Sequence, residues 1–232
     1  MAELINKTGT FSERIIHFYN DLNPDFALPA GIEVLHPYAK AEVKPLIEQY
    51  YTRFYNDDRP KIYLFGINPG RLGGGLTGIP FTDPVQLSKL SIAHEFEEKS
   101  ELSSDFIYKL IDAYGGMKKF AKNFFLTAIS PLGFTMQEKN YNYYDHPMLE
   151  AAIRPWILKT MQEQLSAGAN RKIAVSIGEG SNFKYLCNLN HKEQWFEEVI
   201  ALPHPRWIMQ YRRKSLPEFI ERYVETLNRI RP

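Results

Sequence analysis

The sequence predicts an α/β fold, a three-layer sandwich around a central, mainly parallel four-stranded sheet. Four short apolar runs of strand length, at residues 62–65, 124–129, 172–177 and 198–202, are separated by stretches with helical periodicity, and strands alternating with helices favour parallel pairing. With 232 residues, 44% hydrophobic and 14% aromatic, the chain can fill one sizeable core, so a single domain over 1–232 is expected.

The elements follow in order. Thr10-Phe11-Ser12-Glu13 has the form of a capping box, in which hydroxyl and carboxylate satisfy each other's backbone amides. Phe11, Ile15, Phe18, Tyr19 and Leu22 then share one helical face. This helix and a proline-rich link from 23 to 37 form an N-terminal helical extension at about residues 8–35. Val43, Leu46, Ile47, Tyr50, Tyr51 and Phe54 mark a second amphipathic helix that stops ahead of Pro60. Ile62-Tyr63-Leu64-Phe65 is short, apolar and bounded by a glycine-rich turn, as a buried strand would be. Phe106, Leu110, Ile111 and Tyr114 form a further helical face. Leu149, Ile153, Trp156, Ile157 and Met161 form another, kinked or started at Pro155. Ser215-Leu216-Pro217-Glu218 reads as a second capping box, before a helix that buries Phe219, Ile220, Tyr223, Val224 and Leu227. The charged segment from Lys89 to Ser104 reads as a solvated surface insertion.

Composition narrows the function. A net charge of +1 argues against a protein that coats nucleic acid by bulk electrostatics, though not against a basic rim around a deep site. The single Cys187 cannot form an internal disulfide, and residues 1–7 lack the pattern of a secretion signal, so a reducing, cytoplasmic home is expected. No run approaches the ~18 apolar residues of a membrane span. No obligate protein partner is evident.

Parallel strands gather ligand sites at their carboxyl ends. The stretch there from Gly66 to Phe81 is the most unusual in the chain. It lacks the lysine-serine/threonine ending of a phosphate loop. Although Gly73 to Gly78 fits G-x-G-x-x-G, it lies too far past the strand for a dinucleotide turn and opens no evident helix. Asn68 instead stands at the strand end, biased by Pro69 toward an extended backbone.

Gly66-Ile67-Asn68-Pro69-Gly70, followed by Thr77-Gly78-Ile79-Pro80-Phe81, resembles the first motif of the uracil-DNA glycosylase superfamily, in the form shared by its single-strand-selective monofunctional (SMUG) and mismatch-specific (MUG) branches. The order of strands and helices runs along with the family from about Tyr50 to the C-terminus. The resemblance implies DNA containing a damaged base as partner and hydrolysis of an N-glycosidic bond, without metal or organic cofactor. Asn68 would position the attacking water, Ile67 and Gly70 would offer backbone to the base, and Phe81 would stack on it. A neutral amide cannot act as a strong base, but it can hold water in line with C1′, which suffices for a dissociative transition state. Gly70, having no side chain, would leave room for substituents at C5 of a pyrimidine. No lysine stands at the motif positions to form a Schiff base, so lyase activity is not expected.

His204 follows the last strand between Pro203 and Pro205, which hold it extended. SMUG-like proteins carry their second motif here, His-Pro-Ser-Pro-Arg; this chain reads His204-Pro205-Arg206-Trp207, without the Ser-Pro pair. The histidine favours the SMUG over the MUG branch. Its expected role is to donate a hydrogen bond to base O2 as charge builds there. Residues 206–214 carry four positive charges among large side chains. They read as a loop in which Arg206, Trp207, Arg212 and Arg213 contact DNA while the base is flipped out.

The run at 124–129 matches the family's base-reading strand, yet the family's asparagine falls on Ala128. Ser130, Thr127 or backbone groups would then read the base, with weaker preference for uracil and acceptance of other deaminated bases, including purines. Gly178-Glu179-Gly180-Ser181 opens a helix after the third strand, which makes Ser181 and Lys184 candidates for phosphate contacts. Two alternatives stay open: a superfamily member that binds nucleic acid without excision, and a hydrolase of free nucleosides or nucleotides.

Overall fold

The computed structural model describes residues 9–232; the reading of residues 1–7 lies outside the described residues. The chain order is α1 (Phe11–Asn20), β1 (Ile32–Leu35), α2 (Lys44–Phe54), β2 (Ile62–Gly66), α3 (Gly74–Thr77), α4 (Pro84–Lys89), α5 (Leu102–Tyr114), α6 (Met117–Ala121), β3 (Phe124–Ala128), β4 (Gly133–Met136), β5 (Lys139–Tyr141), α7 (Pro147–Ser166), β6 (Ile173–Ile177), α8 (Ser181–Glu193), β7 (Glu198–Leu202), α9 (Pro205–Tyr211) and α10 (Leu216–Ile230).

The four strands expected from apolar runs form one sheet in the order β3-β2-β6-β7. Every pairing in it is parallel, with Tyr63 beside Phe125 and Gly66 beside Ala128. Both faces are covered, which is why these strands read as continuous apolar runs rather than alternating ones. On one face Phe125 meets Phe11 of α1 and Tyr63, and the Tyr63 hydroxyl donates to the Gln164 carbonyl of α7 at 2.8 Å. On the other, Phe124 meets Tyr114 of α5 and Phe120 of α6 edge-on or tilted. Behind α5 stands α10, where Phe106 and Tyr223 pack at 5.0 Å.

The Thr10 capping box forms: the Glu13 amide donates to Oγ1 at 3.3 Å and the Thr10 amide to Oε2 at 2.6 Å. Its counterpart at Ser215 does not. Ser215 closes a 3-10 turn with φ −97° and ψ 17° and makes no side-chain cap; an N-cap hydroxyl reaches the helix amides only from an extended backbone. Helix α7 neither begins nor breaks at Pro155. It starts at Pro147, capped by the His146 ring, which accepts from the Met148 amide at 3.2 Å, and runs through Pro155.

Two further departures shape the site. The proline-rich link contains strand β1, which pairs antiparallel with β4 in a second, three-stranded sheet of order β1-β4-β5. And Gly73 to Gly78 does open a helix, the single turn α3, which Gly78 ends at φ 75°. A Cβ on Gly78 would lie 2.6 Å from Val43 Cγ1, so both its backbone and its surroundings require glycine. Among the described residues no helix is long and apolar enough to cross a membrane.

Candidate active site

The carboxyl ends of β2, β3 and β7 open into a cavity of about 300 Å³. Its lining includes Gly66, Ile67, Asn68 and Gly70 from the glycine-rich loop, with Phe81, Ala128, His204, Arg206 and Trp207. Residues from four separate parts of the sequence thus converge on one cavity. Beside it lies a second depression that shares Ile67, His204 and Trp207 and adds Ser181 and Asn182 at the start of α8.

Asn68 is held at both ends of its side chain. Nδ2 donates to the Tyr141 carbonyl and Oδ1 accepts from the Tyr143 amide, each at 3.1 Å. Because one partner can only accept and the other only donate, the orientation of the amide is fixed. One N–H and one lone pair remain free. The clamp comes not from neighbouring Pro69 but from the end of the β4–β5 hairpin, 73 and 75 residues along the chain.

That hairpin end is itself anchored by a residue absent from the sequence reading. Asn182 is 2% exposed. Its Nδ2 donates to the Phe65 carbonyl at 3.1 Å and to Ser176 Oγ at 3.2 Å, while Oδ1 accepts from the Tyr143 hydroxyl at 3.1 Å. One amide ties β2, β6 and the Asn68 clamp together. Asn182→Leu is expected to leave the Tyr143 hydroxyl without its partner, to strip one bond each from the Phe65 carbonyl and Ser176 Oγ, and to cost about 3 kcal/mol, read as a lower urea midpoint at unchanged slope; a loss below 0.5 kcal/mol would show that these groups find other partners.

Phe81 holds φ 56°, a left-handed backbone that costs a residue with a Cβ about 1–2 kcal/mol. Its ring lies against Gly66, where a Cβ would come within 2.6 Å of Cζ. Ala128, buried at 4% exposure, forms part of the floor. Neither hydroxyl proposed to replace it reaches the cavity. Ser130 is fully buried and donates to the Leu132 carbonyl at 2.7 Å. Thr127 points to the opposite side, donating to Gln164 Oε1 at 2.5 Å.

His204 has the expected extended backbone, φ −69° and ψ 130°, and it caps α9: Nδ1 accepts from the Arg206 amide at 3.2 Å. The neutral ring then carries its proton on Nε2. Burial, with Arg206 nearby, lowers its pKa to about 4, so it is an uncharged donor at neutral pH.

The basic segment is not a loop. With the Ser-Pro pair absent, Pro205 falls at the first helical position and His204 at the cap, so α9 starts at once. Ile208 and Met209 are buried, while Trp207 and Tyr211 are 41% and 60% exposed. One turn apart, they border the cavity with Arg206 and Gln210. The Arg212 guanidinium lies over the Trp207 ring at 5.0 Å. Arg212, Arg213 and Lys184 are exposed and outside both depressions.

Sequence reasoning also missed Glu101, Asn140, Asn142, Gln210 and Tyr211 in the lining. Glu101 belongs to the segment read as a solvated insertion, yet its carboxyl turns inward. Burial raises its pKa, the Asp83 carboxylate adds to the rise, and Arg206 opposes it.

Residues 52–228 match the model of the uracil DNA glycosylase superfamily. No curated protein matches the chain. Among solved structures it is similar to wild-type SMUG2 of Pedobacter heparinus, with 38% identity over 95% of this chain and 98% of that one, and a TM-score of 0.92. The chain belongs to the uracil DNA glycosylase superfamily.

Proposed function

We propose that this protein is a monofunctional DNA glycosylase of base excision repair, hydrolysing the N-glycosidic bond of uracil or a related deaminated or oxidised base and leaving an abasic site. The observation that carries this reading is the Asn68 amide, clamped by Tyr141 and Tyr143 with one N–H and one lone pair free, in the same cavity as His204 and Phe81. The name of the similar Pedobacter heparinus structure and the superfamily match support it.

In this reading a flipped nucleotide enters with its base stacked on Phe81 and its backbone along the rim of α9. Asn68 holds a water toward C1′. As the glycosidic bond lengthens, negative charge collects on the base, and the Nε2–H of His204 meets it at O2. Arg206 and Trp207 contact the strand; Arg212 and Arg213, further along the same face, and Ser181 and Lys184 on α8 meet phosphates. No cofactor enters the scheme. With neither Ser130 nor Thr127 available, the base is read by backbone of residues 66–70 and by the remaining polar wall. The hydrophobic cluster that extends from Phe11 to Leu227 supports taking 1–232 as one domain, and the lone Cys187 suits a reducing compartment.

The test is incubation with oligonucleotides carrying uracil, 5-hydroxymethyluracil, hypoxanthine or xanthine, followed by alkali. Strand breaks that need the alkali step are expected for at least uracil. Breaks that form without alkali would overturn the monofunctional assignment, and no breaks from any substrate would overturn the glycosylase reading.

A further inference from the structure

The absence of a side chain at Gly70 does not leave an empty space. A Cβ built there would lie 2.7 Å from Glu101 Oε1 and 3.2 Å from Asn140 Nδ2. One built on Gly73 would overlap Glu101 Oε2. The two glycines are therefore the seat of the Glu101 carboxyl, which has grown in from the start of α5 to wall the cavity where the loop has no side chains of its own.

The wall is built, not incidental. The Glu101 amide donates to Asp83 Oδ2 at 2.7 Å, and Asp83 Oδ1 in turn caps α4 through the Gln86 amide at 2.9 Å. That pins the backbone from which the side chain reaches inward. Asn140 is pinned likewise, its Oδ1 accepting from the Arg71 amide at 2.9 Å, so its Nδ2 faces the same space. The Glu101 carboxyl accepts no hydrogen bond among the described residues, and its one attractive charged neighbour is Arg206.

This wall and His204 belong to separate stretches of the cavity lining. Pro69 and Gly70 lean toward the turn that follows β3, where a Cβ on Gly133 would meet the Pro69 carbonyl. His204 follows β7, at the far edge of the sheet. In a pyrimidine ring C5 is para to C2. With O2 on His204 and C5 over Gly70, the placement that the glycosylase reading gives, the base turns C5 to Glu101 and Asn140, which fill the space at Gly70.

We infer that Glu101 is the specificity-determining residue at the C5 edge of the excised base, a role that rests on the glycosylase reading above. A methyl group at C5, which distinguishes thymine from uracil, would displace the carboxyl or bury it against carbon without a partner, and an uncompensated carboxylate against apolar surface is strongly disfavoured. A hydroxymethyl group in the same place can donate to it. Glu101 thus closes to thymine a pocket that Gly70 would otherwise open to it, while keeping the pocket open to polar substituents.

The experiment measures single-turnover excision of uracil, 5-hydroxymethyluracil and thymine, each opposite guanine, by the wild type, E101A and E101Q. Ratios between substrates within one preparation are unaffected by the fraction of protein that is active. E101A is expected to raise the thymine-to-uracil rate ratio at least about tenfold and to lower the 5-hydroxymethyluracil-to-uracil ratio several-fold. E101Q, of the same size and still carrying an acceptor oxygen, is expected to keep thymine out and to lower the 5-hydroxymethyluracil-to-uracil ratio less than E101A does. Ratios within twofold of wild type in both variants would overturn the role of Glu101 and leave the glycosylase reading standing. A wild type inert on all three bases would overturn both.

Discussion

Asn68→Ala is expected to lower single-turnover uracil excision by about a hundred- to a thousandfold, with DNA affinity measured by fluorescence anisotropy nearly unchanged. The size follows from what the side chain is free to do. Two of its four hydrogen-bonding valences are spent on Tyr141 and Tyr143, and the rest are available to a water. Alanine removes the water's holder and also one of the ties on the hairpin end, which Asn182 still anchors. Asn68→Asp separates these effects. A carboxylate can still accept from the Tyr143 amide and from water, but its second oxygen faces the Tyr141 carbonyl, where the amide nitrogen now sits at 3.1 Å. Activity between those of wild type and alanine is expected. Wild-type rates in Asn68→Ala would mean that the water is held elsewhere.

Why Asn68 was legible and its clamp was not comes down to range. Strand β2 and the glycine-rich loop are adjacent in sequence, and four consecutive apolar residues followed by Gly-Ile-Asn-Pro-Gly carry their own description. Tyr141 and Tyr143 act through backbone groups, which any residue could supply. They sit at the end of β5, whose Lys139, Asn140 and Tyr141 show no apolar alternation because the strand is largely exposed. Strand β1 was concealed by flanking prolines, since its pairing with β4 depends on a partner about a hundred residues away. Glu101 was concealed by its neighbours: in a run rich in charge, the one carboxylate that turns inward has no distinguishing pattern. At Ser215 the sequence pattern of a capping box was present but the backbone was not extended. The helix α9 was concealed among its charges for a related reason: residues 206–214 read as a basic loop, while Pro205 directly after the His204 cap opens a helix.

His204 carries the other large effect. His204→Ala is expected to slow excision by about a hundredfold, the usual consequence of removing one donor aimed at developing charge. Alanine also removes the cap of α9. His204→Asn is therefore the sharper variant: asparagine is a good N-cap and can replace Nδ1 at the Arg206 amide, but it is too short to reach a base as the ring does. If the two variants are equally slow while His204→Asn melts like wild type, the loss belongs to the donor and not to the helix. A His204→Asn enzyme with wild-type rates would remove His204 from the chemistry. The pH dependence tests its charge state. With the folded pKa lowered to about 4, the ring stays neutral through pH 6.5, where an ordinary imidazole titrates, so no break in the rate profile is expected there. Stability has the opposite visibility. Between pH 6.5 and about 4 the unfolded chain binds a proton that the folded ring excludes, so the free energy of unfolding falls as the pH is lowered through that window. His204→Asn should flatten that part of the slope. A rate inflection near pH 6.5 that disappears in the variant would show instead that His204 works as a cation.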